Sequence, residues 1–346
     1  MPDADPLADR GRLRVRGFAD ATAEADADTA PDSNPETTPD STRRWRRAWR
    51  RFRRDRAALV GVAVVAVMAL VALFARPVEV GGVVVQPVAL APYDPGATGV
   101  AAASQPPSLA HPFGTDWAGR DVFSRVLYGG RYSLSIGVVA VSLALVVGVP
   151  LGAVAGYAGG WVDETVMRLV DVLYAFPFLV LAIALVAVFG QGFWKLVGAL
   201  VAVGWVSYAR LVRGEVLSVK EREYVLAARA LGASDAAILR RHVVPNAVAP
   251  VVVQATLNVG TVVLSAAALG FLGLGLQPGT AEWGSMLSAG RDTLIRGQWW
   301  VTVFPGLAIF LFVLSINLVG DGVRDALDPD VGAGAAGTSD RPPGVR

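Results

Sequence analysis

The sequence predicts an all-α membrane protein, a polytopic helical bundle of about six transmembrane helices. Of its 346 residues, 53% are hydrophobic and only 17% are charged, and the mean hydropathy is positive. The charged residues concentrate in short segments that separate long uncharged runs. A helical run of this kind is able to cross a hydrocarbon core of about 30 Å. This pattern favours a polytopic membrane protein over two soluble domains.

The ends of the chain differ in composition from its middle. Residues 1–42 are rich in Asp, Ala, Thr and Pro without apolar periodicity, which predicts a disordered acidic tail. Segment 43–56 holds nine arginines with aromatic residues at helical spacing. We expect it to form a basic juxtamembrane helix on the inner lipid surface, and not a nucleic-acid site, because the first span, 57–76, follows directly. Residues 329–346 are predicted as a second disordered tail.

Five further uncharged runs predict the remaining spans. They are 132–158, 172–194, 196–209, 243–281 and 297–320. The fourth run exceeds one span, so we assign 249–271 to the membrane and the Gly- and Pro-rich remainder to an outer loop. An extracellular loop, 77–130, is expected between the first span and the remaining helical core, 131–328. Pro177 predicts a kink in the third span.

The distribution of basic residues predicts the orientation. Segment 43–56 has nine basic residues and 210–241 has seven, whereas the segments on the opposite side hold fewer over a longer stretch. Cytoplasmic segments carry the excess of Lys and Arg. We therefore expect a multi-pass protein of the cell (inner or plasma) membrane with both termini in the cytoplasm. The polar segment 218–246, between spans four and five, is then cytoplasmic.

Segment 218–246 carries the signals of two short helices. Ser218 and Glu221 form a capping-box pattern, and Gly232 is a helix stop. A second short helix is predicted from Ser234. One face of the first helix holds residues at i, i+3, i+4 and i+7, namely Tyr224, Ala227, Ala228 and Leu231. Two of these are alanines, which permit close approach, so the segment is predicted to be a docking element.

Several kinds of chemistry are excluded by residue content. The chain has no cysteine, so it forms no disulfide, iron–sulfur cluster or thiolate zinc site. His111 and His242 lie in different polar segments and supply no multi-histidine site. Neither Lys195 nor Lys220 stands in a Gly-Lys-Ser/Thr phosphate loop, so any energy from ATP must come from another polypeptide. We expect no catalytic residue, no metal and no cofactor.

The docking segment also resembles a known family. Leu226-Ala-Ala-x-x-x-Gly232, followed by Pro245, is similar to the EAA signature of ABC-importer permeases, with Leu226 in place of the leading glutamate. In that family, the coupling helix of this loop, here 218–245, sits in a cleft on the ATP-binding subunit. The resemblance implies a set of coupling residues: Glu221, Glu223, Tyr224, Ala227, Ala228, Leu231 and Gly232.

Three other blocks narrow the family. Residues 111–137, 269–292 and 317–330 resemble segments of dipeptide, oligopeptide and nickel importer permeases. Together the four blocks cover nearly all of 57–330. The chain is thereby identified as similar to the second of the two permease subunits, with the type I importer architecture. The resemblance implies as partners a homologous second permease subunit, two cytoplasmic ATP-binding subunits, an extracellular solute-binding protein and membrane lipid, but no nucleic acid.

Span five carries a further signal. Four polar side chains at spacings of +4, +3 and +4 share one helical face: Gln254, Asn258, Thr261 and Ser265. Polar groups are costly in hydrocarbon, so this face is expected to point into the bundle. Two roles stay open, lining of the solute pathway by neutral hydrogen-bonding groups and hydrogen bonding to the partner permease.

The sequence favours an importer permease over two rivals. An ion-coupled secondary transporter, the alternative, needs carboxylates at the membrane midplane or broken helices in inverted repeats. The predicted spans carry Asp, Glu, Lys or Arg only at their ends. A membrane enzyme needs a nucleophile or a metal cluster, which two isolated histidines do not provide. The solute stays open among dipeptides, longer peptides, nickel complexes and some sugars.

Overall fold

The structure of the chain, a computed structural model, describes residues 41–327. Contacts divide the chain into two units, Met1–Arg47 and Ala48–Arg346. Of the first unit only the start of one helix is described, and the helical bundle lies in the second. The tails predicted at 1–42 and 329–346 fall almost wholly outside the described residues.

The described part of the chain is helical along most of its length. The helices are α1 Ser41–Phe52, α2 Arg56–Phe74, α3 Val122–Ala158, α4 Gly160–Tyr174, α5 Phe178–Phe189, α6 Phe193–Lys220, α7 Glu223–Ala230, α8 Asp235–Ile238, α9 Val244–Phe271, α10 Trp283–Leu294 and α11 Trp300–Leu327. A π-helical turn, Leu239–Val243, leads from α8 into α9. Strands β1 Val78–Val80 and β2 Val83–Gln86 pair antiparallel beyond α2.

Length and composition allow five of the described helical segments to cross a membrane. They are α2, α3, α6, α9 with the turns before it, and α11. The pair α4 and α5 adds a sixth if it is counted as one span. The prediction of an all-α bundle with about six spans is therefore confirmed.

The third span is broken and not simply kinked. Helices α4 and α5 meet at an angle of 88°. Pro177 lies at the start of α5, with φ at −56°. Proline has no N–H to donate and disfavours helical backbone in the residue before it, so α4 ends at Tyr174 and a new helix starts after the break. Pro177 predicted the position of the interruption but not the angle between the two helices.

Two predicted boundaries also move. The outer loop predicted to reach residue 130 ends at Asp121, because the Asp121 carboxylate accepts hydrogen bonds from the N–H and hydroxyl of Ser124 (both 2.7 Å) and starts α3 at Val122. The cytoplasmic loop predicted at 218–245 shrinks to 221–243, since α6 continues to Lys220 and α9 already begins at Val244.

Helices α3 and α6 pack through a stripe of small residues. Gly148, Gly152 and Gly156 recur at every fourth position of α3, and a methyl group at these positions would lie between 2.3 and 2.9 Å from backbone oxygens of α6. Small residues let two membrane helices approach until their backbones touch. This contact fixes α6 against α3, the longest described helix, and so positions the elements that both helices carry at their ends.

Candidate functional site

A cavity of about 430 Å³ opens among α3, α6, α9 and the break between α4 and α5. Its wall is mostly apolar, with Pro177 and its neighbours at the break on one side. The polar groups that line it are on α4, α6 and α9: Tyr174, Ser207, Tyr208, Asn258, Thr261 and Ser265. A cavity with few convergent polar groups in an apolar wall is typical of a site for a small molecule.

The predicted polar face of α9 largely lines this cavity. Asn258, Thr261 and Ser265 lie in the wall. Gln254 does not, but its side-chain amide donates a hydrogen bond to Oδ1 of Asn258 (2.9 Å). The Ser265 hydroxyl donates to the backbone oxygen of Thr261 (2.8 Å). The +4, +3, +4 spacing thus brings three of the four side chains to one cavity, and the fourth supports one of them.

Tyr208 is a cavity residue that the sequence did not reveal. It lies on α6, only 1% exposed, and its hydroxyl accepts a hydrogen bond from Nδ2 of Asn258 (3.0 Å). A buried hydroxyl needs such a partner, because an unpaired one is costly in an apolar medium. A tyrosine inside a predicted span was a signal for a polar contact, but its partner on α9 was not predictable from spacing.

Loop 221–243, predicted to be cytoplasmic, contains α7, α8 and the π-helical turn. On α7, Val225 is fully buried and Ala228 packs half-buried against the same core. Tyr224 is 42% exposed, and Leu231, just past the helix end, is 88% exposed. The other predicted coupling residues are also exposed: Glu221, Glu223, Ala227 and Gly232. The structure therefore separates Ala228 from the exposed surface that it was predicted to share.

The start of α7 differs from the prediction. Ser218 lies inside α6, so the expected capping box does not form. Arg222 occupies the N-cap position and makes no side-chain capping bond. Leu226, which stands where the family signature has glutamate, is half exposed. Sequence alone gave no sign that the preceding span continues through Ser218, because the polar residues there read equally well as a loop.

The end of α7 depends on Gly232. Its φ is +82°, in the region that residues with a Cβ rarely adopt. This conformation lets the N–H of Ala233 bond the carbonyl of Ala228 (3.1 Å) and the N–H of Gly232 bond that of Arg229 (3.0 Å). The predicted helix stop is confirmed. It holds α7 and α8 as a compact helix–turn–helix.

Side-chain hydrogen bonds attach this loop to the end of α3. The Tyr157 hydroxyl donates to Oδ1 of Asp235 (2.6 Å) and accepts from Nη2 of Arg229 (3.2 Å). The Tyr157 contact raises the pKa of the Arg229 guanidinium, so this side chain stays charged. Lys220 Nζ donates to the carbonyl of Gly156 (2.9 Å). Both α7 and α8 are thereby joined to α3.

Two ion pairs join α6 to α4, and their arginines lie on α6 between the cavity and loop 221–243. Arg213 makes two hydrogen bonds to Asp163, from Nε (2.5 Å) and from Nη2 (2.6 Å). Arg210 pairs with Asp171 and lies over the ring of Tyr174, 4.3 Å from its centroid. Tyr174 also lines the cavity. The segment that leads to the loop is therefore linked to the cavity wall.

The opposite end of α3 carries a buried polar cluster, in the segment predicted to be extracellular. Nδ1 of His111 is 2.8 Å from Oδ1 of Asp121, and both side chains are buried. Trp300 donates from Nε1 to the carbonyl of Thr115 (3.0 Å). His111 thus serves a structural contact. Because α3 has 37 residues, this cluster and loop 221–243 lie about 55 Å apart along the helix.

Comparison with known proteins gives consistent matches along the chain. Residues 148–333 match the family described as binding-protein-dependent transport system inner membrane component. Residues 43–107 match the N-terminal transmembrane domain of oligopeptide transport permease C. The dipeptide transport system permease protein DppC of Alkalihalophilus pseudofirmus is 43% identical over 81% of this chain and 88% of its own length. The glutathione transport system permease protein GsiD of Escherichia coli is 45% identical over 81% and 89%.

A solved structure shares the fold. An inward-facing MetNI methionine ABC transporter structure aligns over 60% of this chain and 97% of its own, with a TM-score of 0.51 and 22% identity. The family and its relatives are not ion-coupled secondary transporters, so the alternative drawn from the sequence is wrong. The chain belongs to the binding-protein-dependent transport system inner membrane components, the permease subunits of ATP-binding-cassette importers.

Proposed function

We propose that this permease conducts peptides or a related small solute through a pathway that includes the cavity between α3, α6 and α9. The observation that carries the proposal is the position of Asn258, Thr261 and Ser265 in one cavity wall beside Tyr208. The names of the dipeptide and glutathione relatives support this class of solute. A peptide is rich in amide donors and acceptors, and neutral hydroxyl and amide side chains exchange hydrogen bonds with it without trapping a charge.

The proposed partners follow from the family and from the charge pattern. We propose a homologous second permease subunit, two cytoplasmic ATP-binding subunits and an extracellular solute-binding protein, with lipid around the bundle. The basic residues of 43–56 and 210–241 support cytoplasmic termini and a cytoplasmic loop 221–243. The proposed coupling residues at the surface of this loop are Glu221, Glu223, Tyr224, Ala227, Leu231 and Gly232, and Ala228 supports them from the packed side.

Coupling, in this proposal, is mechanical. The ATP-binding subunits displace α7 and α8, and the hydrogen bonds of Tyr157 pass the displacement to α3. The ion pairs between α6 and α4 carry it to the cavity wall. A partner shifts such an equilibrium only if it binds the two states with different affinity. The exposed Tyr224 and Leu231 offer apolar contacts that a moving subunit is able to make or release.

Cysteine accessibility tests the pathway, and the cysteine-free chain is a ready background. Cysteines at 258, 261 and 265 are expected to react with a membrane-impermeant, water-soluble thiol reagent in the assembled importer. Leu264→Cys is the matched control and is expected not to react. Leu264 lies on the same helix but outside the cavity wall, 53% exposed on the surface that we propose faces lipid. Gln254→Cys is expected to react less, because its side chain is outside the cavity wall. Uniform inaccessibility of all four polar positions, at rest and during turnover, rules out the pathway.

A further inference from the structure

A second cavity, of about 510 Å³, lies at the outer end of the bundle. It is bounded by the start of α3, the loop after α9 and the side of α10. Its polar lining comes from Trp117, Arg120, Arg125, Gln191, Thr280, Ser285 and Ser288. Among the lining residues that the structure describes, two are arginines and none is a carboxylate.

Arg125 holds the walls of this cavity together. It is 4% exposed, and its terminal amino groups donate to the carbonyls of Pro95, Gly279 (3.3 Å) and Thr280 (3.5 Å). Its donors are therefore engaged by neutral backbone oxygens. Carbonyl partners satisfy its hydrogen bonds, but they do not neutralise its charge.

Arg120 has side-chain N–H donors without a hydrogen-bond partner among the described residues. It is 7% exposed, its Nε donates to Oδ2 of Asp116 (2.7 Å), and it lies over the ring of Trp117. Within residues 41–327, its two terminal amino groups have no hydrogen-bond acceptor. Nη1 lies 4.0 Å from the place where a Cβ on Gly279 would stand, so this end of the side chain faces the cavity wall. These two donor groups are therefore free to bind an acceptor in the cavity.

The charges around the cavity favour an anion. Asp116 is shared, since Nε of Arg125 lies 3.9 Å from the oxygen that Arg120 binds. The other nearby carboxylate, Glu282, accepts hydrogen bonds from Ser133, Ser285 and the backbone at the start of α10. It therefore serves as the cap of α10 and pairs with neither arginine, so within residues 41–327 the two arginines share Asp116 as their ion-pair partner. Attraction for an anion is strong where burial lowers the effective dielectric constant.

We propose that this outer cavity is a carboxylate-binding site, with Arg120 as the residue that touches the ligand. A planar carboxylate matches the two parallel donors of a guanidinium fork. The Ser288 hydroxyl lies in the same wall. Two sources of the group fit this chemistry, the terminal carboxylate of a solute and an acidic side chain of the solute-binding protein. The first source rests on the proposed function as a conduit for peptides.

Trifluoroacetate, a small free carboxylate, is the probe for the site. Its fluorine NMR relaxation is measured with the detergent-solubilised importer, containing both permeases and the ATP-binding subunits. Ser288→Glu places an internal carboxylate in the cavity while Arg120 and Asp116 stay intact, and Ser288→Gln is the matched neutral control. We expect Ser288→Glu to weaken probe binding by about tenfold or more, and Ser288→Gln to retain it. Arg120→Gln is expected to remove binding as well.

Two results overturn the proposal: no enhanced relaxation with the unmodified importer, or equal enhancement with Ser288→Glu and Ser288→Gln. This readout needs no transport, so its failure is distinct from a failure of the proposed function. Uptake then separates the sources. Selective loss of uptake of dialanine but not of its C-terminal amide in Ser288→Glu identifies the solute's carboxylate. Equal loss for both, with weaker attachment of the solute-binding protein, identifies the protein's side chain.

Discussion

Substitution of Gly152 by alanine gives a sharp test of the packing that positions both functional regions. The new Cβ would stand 2.3 Å from the backbone oxygen of Ala209 and 2.9 Å from its Cα and carbonyl carbon. These are backbone atoms of a helix, so no side chain can rotate away. Helices α3 and α6 must instead separate by about 1 Å to reach ordinary contact, which loosens the flanking contacts of Gly148 and Gly156.

The size of the effect follows from two opposing terms. Overpacking of this kind costs about 3 kcal/mol or more at its upper end, while alanine gains about 1 kcal/mol over glycine in a helix. The net loss is about 2 kcal/mol, or about a thirtyfold change in the folding equilibrium. Gly214→Ala is the matched control, because Gly214 lies in α6 with no atom within 4 Å of its would-be Cβ. It should be neutral or stabilising by up to about 1 kcal/mol.

The assay is the thermal midpoint of the assembled importer, followed by the loss of the monodisperse peak in gel filtration after heating. Gly152→Ala should lower the midpoint and reduce uptake in proteoliposomes, and Gly214→Ala should do neither. Equal midpoints for the two variants would refute close backbone packing of α3 on α6.

Three further predictions concern the coupling path and the cavity. Tyr157→Phe removes the hydroxyl between Asp235 and Arg229. Because this contact is solvent-exposed, we expect the interaction between the loop and α3 to weaken by about 1 kcal/mol and uptake per ATP hydrolysed to fall about fivefold. An unchanged ratio of uptake to ATP hydrolysis contradicts the link to α3. Gly232→Pro cannot adopt the positive φ of this position and should leave ATP hydrolysis uncoupled from uptake, whereas wild-type values of both refute the coupling role. Tyr208→Phe leaves the side-chain amide of Asn258 unpaired, which should cost about 1–3 kcal/mol of folding stability. Uptake and the thermal midpoint should therefore both fall, and wild-type values of both argue against this hydrogen bond.

Much of the architecture was predictable because a membrane span is recognisable from the composition of one continuous segment of sequence. Uncharged runs marked the spans, whereas the orientation favoured by the nine arginines of 43–56 stays a prediction. The spacing of the polar residues on α9 is a property of one helix, so it predicted a shared face, and three of the four side chains line one cavity. Each of these inferences uses only residues near one another in the chain.

Most of the misses depend on contacts between distant residues. Tyr208 finds its partner Asn258 fifty positions away, and no local pattern encodes that pairing. Pro177 indicated an interruption, but the 88° angle depends on what packs against both halves. Helix α10 was hidden in a Gly-rich stretch, where the cap supplied by Glu282 was the available signal. Ser218 looked like a helix start because its local sequence fits a cap. That α6 continues through it depends on the packing of α6 against α3.

The central claim is that the exposed surface of α7 contacts an ATP-binding subunit, and photo-cross-linking tests it most directly. A benzophenone reagent is attached to one cysteine at a time in the cysteine-free chain. We predict that Ala227→Cys, on α7, yields a nucleotide-dependent cross-link to an ATP-binding subunit. Leu109→Cys, at a fully exposed position in the segment predicted to be extracellular, should yield none. Absence of the product from position 227, or equal amounts from both positions, would contradict the account.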